Sequence, residues 1–154
     1  MHALVGTDGS EEAVAAAGTG VAMLDDPSEV TIVCAVDISS VIMSGAESGF
    51  AGGMATEAQI SAERDRGRQE ATEALRATEA AVRRSAPQAT VTTRIEEGDA
   101  GRVLVRLAEE LGVDTVVVGS QGKGALKRAI LGSVSSMVVN NAPCPVVVVR
   151  RGTD

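Results

Sequence analysis

The sequence predicts an α/β protein: one open parallel sheet with helices on both of its faces. Short segments rich in valine and isoleucine alternate along the chain with longer segments in which apolar residues recur every three or four positions. Strands that alternate with helices in this way form parallel sheets with right-handed crossovers. The chain has 154 residues and no internal repeat, so we expect one domain over residues 1–154.

The beginning of the chain predicts two buried strands with a helix between them. The apolar segment 2–7 is followed by a turn signal, Asp8-Gly9-Ser10, in which Ser10 is the expected N-cap of a helix with an acidic first turn. Asp25-Asp26-Pro27 is predicted to end that helix, because proline cannot continue it. Residues 29–36, EVTIVCAV, are typical of a strand that is buried on both faces.

Residues 37–55 interrupt the alternation, because they are rich in glycine and serine and show no period; we expect a mobile loop. Residues 56–85 then carry one apolar stripe at helical spacing, and Pro87 follows the end of this predicted helix. Residues 89–96 alternate between polar and apolar side chains, which predicts a strand exposed on one side, near a sheet edge.

The second half of the chain predicts two more helices and two more strands. Asp99 is the expected cap of a helix that stops at Gly112, and the apolar segment 114–118 is a predicted buried strand. The glycine-rich segment GSQGKGALKRAILGS, residues 119–133, follows and includes a short helical stretch at 125–131. A last helix is expected from Ser133 to about Asn141, before a last strand at 145–150.

Composition excludes several classes of partner. The formal net charge of −7 repels nucleic acid, and a single aromatic residue, Phe50, leaves no platform for base stacking. There is no signal peptide and no apolar segment long enough to span a membrane, so we expect a cytoplasmic protein with reduced Cys34 and Cys144. The only histidine, His2, is expected at a strand end, which leaves no evident general base.

Two polar loops follow predicted strands, 6–10 after the first and 119–123 after the fourth. Ligands of open parallel sheets bind at the carboxyl ends of strands, so both loops would line one crevice if these strands are neighbours. Glycine lets backbone N–H groups approach an anion, and Gly132-Ser133 opens the last helix, whose N-terminal end also favours anions. Lys123, with Lys127 or Arg128, would add positive charge, and the segment therefore predicts a polyphosphate site.

This segment is not one of the common phosphate-binding loops. Val117 and Gly124 occupy positions where a Walker A loop needs glycine and a hydroxyl residue, and a GxGxxG motif is absent. Other interpretations stay open: the glycines serve only as turns, Ser133 only as a cap, Asp8 only as a turn-forming residue, and the lysines are only solvated.

The pattern Gly119-x-x-Gly122-x9-Gly132-Ser133 resembles the nucleotide-binding signature of the universal stress proteins. The resemblance covers the whole chain, because LVGTDGSEEA (4–13), VTIVCAVD (30–37), EEGDAGRVLVRLAEELGVDTVVVGSQGKG (96–124) and APCPVVVVR (142–150) follow in the family's order. It implies a Rossmann-like, five-stranded parallel sheet of order 3-2-1-4-5, in which the first and fourth strands are neighbours. It also implies ATP binding.

The resemblance also implies positions for the ATP-binding residues. They are Gly6, Thr7 and Asp8 around the nucleoside, with Asp8 at the ribose or a nearby metal, Ala35 against adenine, Gly119 near the ribose, Ser120, Gln121, Gly122 and Lys123 along the phosphate side, and Gly132, Ser133 and Val134 at the phosphates. Two residues depart from the family's pattern: Ala35 replaces a common valine, and Gln121 replaces a common histidine.

The leading functional hypothesis is an ATP-binding stress or signalling regulator without assigned catalytic residues. Mg²⁺ or Mn²⁺ is expected with ATP, because the few positive charges of the loop cannot neutralise a triphosphate. The alternatives are a slow ATPase and a dimeric interaction module that needs no nucleotide. Nucleotidyl transferases of similar fold need a histidine-rich motif near the first turn, which TDGSEE lacks.

Assembly is predicted from the last strand. In the implied strand order, Val146, Val147, Val148 and Val149 form an apolar strand at the edge of the sheet, and such an edge favours pairing with another chain. We expect a homodimer in which two copies of this strand pair antiparallel, as the resemblance also implies.

Overall fold

A computed structural model describes residues 1–37, 39, 56–122 and 131–150 of the chain. Within these residues, strands and helices alternate as β1 (His2–Gly6), α1 (Glu11–Ala22), β2 (Glu29–Val36), α2 (Glu57–Ser85), β3 (Thr90–Glu97), α3 (Ala100–Leu111), β4 (Thr115–Gly119), α4 (Ser133–Asn141) and β5 (Val146–Val149). Most of the predicted loop 37–55 and of the predicted helical stretch 125–131 lies outside the described residues.

The predicted cap residues begin and end the helices. Ser10 and Asp99 accept hydrogen bonds from the backbone N–H groups of Ala13 and Arg102, and Gly112 ends α3 in the left-handed conformation with φ of 58°. α1 ends at Ala22, shortly before the predicted stop signal Asp25-Asp26-Pro27, where Asp26 turns the chain with φ of 45°. No described helix combines the length and apolar character needed to cross a membrane.

The five strands form one parallel sheet in the order β3-β2-β1-β4-β5, which confirms the fold class and strand order. β1 lies in the centre, where Leu4 is in register with Thr31 of β2 on one side and with Val116 of β4 on the other. β3 lies at an edge and is largely exposed, as its alternating sequence predicts. The strand order therefore reverses at β1: β2 and β3 lie on one side of it, and β4 and β5 lie on the other side.

Two apolar layers cover the faces of the sheet. One face packs against α1 and α2, through the buried side chains Ala17, Val21, Ala71, Ala74, Leu75 and Val82. The opposite face packs against α3 and α4, through Val103, Leu104, Leu107, Ala108 and Val138. Because strand side chains alternate between faces, Ala3 and Val5 of β1 belong to the first layer and Leu4 to the second.

Gly20 lets α1 approach the sheet closely, because a Cβ atom there would lie 2.3 Å from Cγ1 of Val117. Gly18, one half-turn earlier on the same helix, has more room, since its Cβ atom would lie 3.5 Å from that of Ala81. The two glycines of α1 are therefore present for different reasons.

We expect Gly20→Ala and Gly18→Ala to change stability in opposite directions. Gly20→Ala forces a methyl group into Val117 and should lower the free energy of unfolding by about 1–3 kcal/mol, the usual cost of overpacking. Gly18→Ala adds a helix-favouring residue without a clash and should raise it by about 0.5–1 kcal/mol. Urea unfolding of both variants measures the difference, and a shift in the same direction for both would contradict this account of α1.

Candidate functional site

A cleft of about 390 Å³ opens at the carboxyl ends of β1 and β4, where the strand order reverses. Its volume lies within the range of small-molecule sites. The loops after β1 and β4 both line it, as does the beginning of α4. The adjacency that the sequence analysis required is therefore present.

The structure brings together every predicted site residue that it describes. Those that line the cleft are Gly6, Thr7, Asp8, Ala35, Gly119, Ser120, Gln121, Gly122, Gly132, Ser133 and Val134. Lys123 lies outside the described residues, as do Gly124, Lys127 and Arg128. His2 lies at the opposite end of β1, where its Nε2 atom is 2.9 Å from Oγ1 of Thr31.

Asp8 has a turn-forming role as well as a place in the cleft. Its Oδ1 atom accepts hydrogen bonds from the backbone N–H group of Ser10 at 3.0 Å and from the Ser10 hydroxyl at 2.7 Å. Ser10 in turn caps α1 through Ala13. The turn thus fixes the Asp8 carboxylate at the wall of the cleft.

Gly122 lies directly against the Asp8 side chain in the cleft. A Cβ atom at Gly122 would lie 2.6 Å from Oδ2 of Asp8, and one at Gly119 would lie 3.2 Å from the carbonyl oxygen of Gln121. Neither glycine has a left-handed φ. Gly122 needs glycine for space, because the loop after β4 approaches Asp8 in the loop after β1, whereas the close contact at Gly119 lies within its own loop.

Hydrogen bonds fasten the beginning of α4 to the end of β4. The Ser120 carbonyl oxygen accepts from the Gly132 N–H group at 2.7 Å and from the hydroxyl of Ser135 at 3.2 Å, and this hydroxyl also lies 3.1 Å from the Gly132 carbonyl oxygen. Gly132 is the N-cap of α4, so the alternative that Ser133 serves only as a cap was wrong. The contact explains why the residue before Ser133 is glycine, since a Cβ atom there would approach the Ser120 carbonyl oxygen at 3.3 Å.

The N-terminal end of α4 differs from that of the other described helices. It has no side-chain cap hydrogen bond and no acidic residue in its first turn. The first N–H groups of a helix have no partner within the helix and carry the positive end of its dipole. At this wall of the cleft, backbone groups favour a negatively charged ligand.

The opposite wall of the cleft is apolar. It is formed by side chains from β2 and α3, with one from β4: Val33, Ala35, Val103, Leu104 and Val118. The sequence analysis did not identify Val33, Val103, Leu104 or Ser135 as cleft residues. Their signal in the sequence is the same as that of ordinary core residues, so only the fold identifies them.

Asp8 is the only charged side chain among the described residues that line the cleft. Asp37, which directly follows β2, accepts two hydrogen bonds from Ser39, and these lower the pKa of its carboxyl group. Within the described part of the chain, no group of three or more His, Cys, Asp or Glu side chains could hold a metal ion. A cation at this site would therefore depend on a ligand for most of its coordination.

Fold and site together define a Rossmann-like α/β protein with a cleft at the switch point of its sheet. Residues 1–150 match the model of the universal stress protein family. The chain therefore belongs to the universal stress protein family. A putative universal stress protein of Staphylococcus haemolyticus is 48% identical over 61 residues, a match that covers 39% of this chain and 37% of the relative.

Solved structures agree with the family match over nearly the full chain. Hypothetical protein MJ0577 superposes with a TM-score of 0.78 at 26% identity, and the match covers 99% of this chain and 97% of that one. Universal stress protein UspA from Lactobacillus plantarum superposes with a TM-score of 0.74 at 26% identity, with 97% of both chains covered.

Two more distant proteins of the same fold were solved with nucleotides. One is a universal stress protein in complex with cAMP, with a TM-score of 0.65 and 20% identity over 99% of this chain and 98% of that one. The other is a family member from Arabidopsis thaliana with AMP bound, with a TM-score of 0.66 and 14% identity over 100% of this chain and 94% of that one. At these identities the likeness shows the fold alone.

Ser135→Ala should lower the free energy of unfolding by about 1 kcal/mol, because a buried hydroxyl that bonds two carbonyl groups is lost. Ser136→Ala, on the same helix turn but half-buried, is the matched control and should stay within about 0.5 kcal/mol of the unmodified protein. Chemical denaturation of both variants tests the hydrogen bonds between β4 and α4. Equal losses in the two variants would show that the Ser135 hydroxyl has no special role.

Proposed function

We propose that this universal stress protein binds ATP in the cleft and acts as a nucleotide-dependent regulator in stress or signalling. The observation that carries the proposal is that apolar side chains and the N-terminal end of α4, which has no side-chain cap, line one cleft. A nucleotide has the matching chemistry, since it joins a flat, weakly polar base to an anionic phosphate chain. Each wall supports one part of the ligand.

The apolar wall suits the base. Val33, Ala35 and Leu104 present aliphatic side chains next to β1, and Ala35 leaves more room than the valine that is common in the family. Burial of a base against such surface contributes about 25 cal/mol for each Å² of apolar area removed from water. Since no aromatic side chain is available among the described lining residues, contact with the base is aliphatic.

The opposite wall suits the phosphates. Gly119, Gly122 and Gly132 lack side chains where the loop backbone is closest, and the first turn of α4 has neither a side-chain cap nor an acidic residue. A helix of nine residues carries its positive dipole end at this point. Phosphate oxygens could therefore accept hydrogen bonds from backbone N–H groups.

The Asp8 carboxylate is the reason to expect that ATP binds together with a metal ion. It lies against Gly122, beside the proposed phosphate position, so a bare triphosphate would meet a like charge. Mg²⁺ is usually held by one or two carboxylates together with substrate phosphates. Asp8 fits that donor set, while the described residues offer no complete cage of their own. When bound with ATP, Mg²⁺ or Mn²⁺ would neutralise part of the phosphate charge.

Nucleotides in two structures of this fold, one with cAMP and one with AMP, support the choice of adenine nucleotides as probes. We include in the proposal a single domain over residues 1–154 and a cytoplasmic location. Cys34 and Cys144, both in the described part of the chain, form no disulfide bond, which agrees with a reducing compartment.

ATP with Mg²⁺ at about 100 times its Kd should stabilise the fold by roughly 2.7 kcal/mol. For a domain of this size, that corresponds to a rise of about 5–11 °C in melting temperature. AMP should give a smaller rise, because it makes fewer phosphate contacts. Gly122→Val should abolish the ATP effect, since its side chain would fill the space that Asp8 occupies. Differential scanning calorimetry measures the melting temperature of the unmodified protein and of Gly122→Val, each with ATP and with AMP.

Gly18→Ala is the matched glycine control, because it lies on α1 outside the cleft and should keep the full ATP effect. If ATP shifts neither the unmodified protein nor Gly122→Val, or shifts both equally, the nucleotide proposal is wrong. ATP turnover above about 1 per second, a rate typical of enzymes, would instead assign the protein to the ATPases.

We also propose a homodimer through β5. This strand lies at the sheet edge, and its four valines are all half-buried. The carbonyl groups of Pro145 and Val149 accept hydrogen bonds from Val116 of β4 and from Ser120, which directly follows β4. By strand alternation, the backbone groups of Val146 and Val148 therefore point away from the sheet. They are available to pair with a second copy of β5 in antiparallel orientation.

Val148→Pro should weaken the dimer, because it removes an outward N–H group and leaves the bonds to β4 in place. Analytical ultracentrifugation of the unmodified protein and the variant should show a dimer and a monomer, respectively. A monomer at micromolar concentration of the unmodified protein would rule out this assembly.

A further inference from the structure

Thr78 is a polar residue on the otherwise apolar buried face of α2. The other buried residues of this helix are Ala71, Ala74, Leu75, Ala81 and Val82, whereas the Thr78 side chain carries a hydroxyl group and has 0% exposure. A buried hydroxyl is costly unless it is hydrogen-bonded, and a valine of similar shape would fill the same space without that cost. The hydroxyl group therefore needs an explanation.

A series of hydrogen bonds connects the turn after β1 to Thr78, and the donor of each bond can be assigned. The Thr78 hydroxyl donates to the Ala74 carbonyl oxygen at 2.8 Å, which uses its only proton. The Thr7 hydroxyl, 2.9 Å away, must then be the donor to Thr78. Thr7 in turn accepts from the backbone N–H group of Gly9 at 3.1 Å. Both hydroxyl groups are thus used as donor and acceptor.

The same turn also packs directly on α2. Gly9 has φ of 77°, and a Cβ atom there would lie 2.5 Å from the Cβ atom of Ala74. Asp8 lies between Thr7 and Gly9 in the chain, and both of these neighbours are held against the helix. The Asp8 carboxylate is thereby presented to the cleft, opposite Gly122, at a position set from α2.

We infer that Thr78 is a positioning residue of the cleft: through the Thr7 hydroxyl it holds the turn that orients the Asp8 carboxylate, although Thr78 itself does not line the site. Sites depend on such supporting contacts, because small displacements of a charged group change the affinity for a charged ligand. By linkage, a ligand that binds against Asp8 would also stabilise the contact between this turn and α2.

The affinity part of the test rests on the proposed nucleotide function. Thr78→Val keeps the shape of the side chain and removes the hydroxyl, so the affinity for ATP with Mg²⁺ should fall about ten-fold, roughly the worth of one hydrogen bond. Thr78→Ser restores the hydroxyl and should recover most of that loss. Isothermal titration calorimetry of the full chain measures each affinity.

Thr31→Val is the matched control for a merely structural effect. Thr31 is another buried threonine with side-chain hydrogen bonds, to His2 and Thr92, and it is not part of the cleft. Its replacement should lower stability without changing the ATP affinity. Equal affinities of Thr78→Val and Thr31→Val, or a Thr78→Ser variant as weak as Thr78→Val, would overturn the positioning role.

A second readout needs no ligand and separates this inference from the nucleotide proposal. Amide hydrogen exchange at Gly9, followed by NMR in the ligand-free protein, should become several-fold faster in Thr78→Val and stay unchanged in Thr31→Val. If the unmodified protein binds neither ATP nor AMP, the nucleotide proposal fails and the exchange data alone decide. Unchanged exchange at Gly9 in Thr78→Val would then overturn the inference.

Discussion

The position of β1 between β2 and β4 is the constraint on which the rest of the structure depends. Ala3, Leu4 and Val5 of this strand are fully buried, and each side of the strand is paired with a parallel neighbour. Because the neighbouring strands lead to helices on opposite faces of the sheet, the layers separate at the carboxyl end of β1. The cleft occupies this separation, so it follows from the strand order and does not depend on any special residue.

The site also depends on glycine positions where the backbone lies very close to neighbouring groups. Gly122 lies against the Asp8 carboxylate, Gly132 against the Ser120 carbonyl group, and Gly9 against Ala74. Only Gly9 among these has a left-handed φ. A glycine-rich sequence usually indicates flexible turns. Here the glycines serve mainly to bring two loops and a helix within contact distance. Backbone groups rather than side chains therefore form one wall of the cleft.

The alternating segments, the caps at Ser10 and Asp99 and the stop at Gly112 could be predicted from the sequence, because each depends on neighbouring residues. The strand order came from the family resemblance and not from periodicity, since pairing joins distant segments. Sequence reasoning placed Asp8 and Gly122 in one cleft but did not predict their contact, because it joins residues 114 positions apart. The Thr7–Thr78 hydrogen bond was missed, since it joins residues 71 positions apart and the partner of a buried hydroxyl group cannot be predicted from its own helix.

β5 is the final strand of the sheet in chain order, and it reaches the site itself: the Ser120 N–H group donates to the Val149 carbonyl oxygen at 2.8 Å. During synthesis on the ribosome, β1 is made before β4 and gains this partner only after more than a hundred further residues. The hydrogen bond from Ser120 to β5 forms later still. The cleft that the loop after β4 lines is therefore complete only when β5 has been made and has paired with β4.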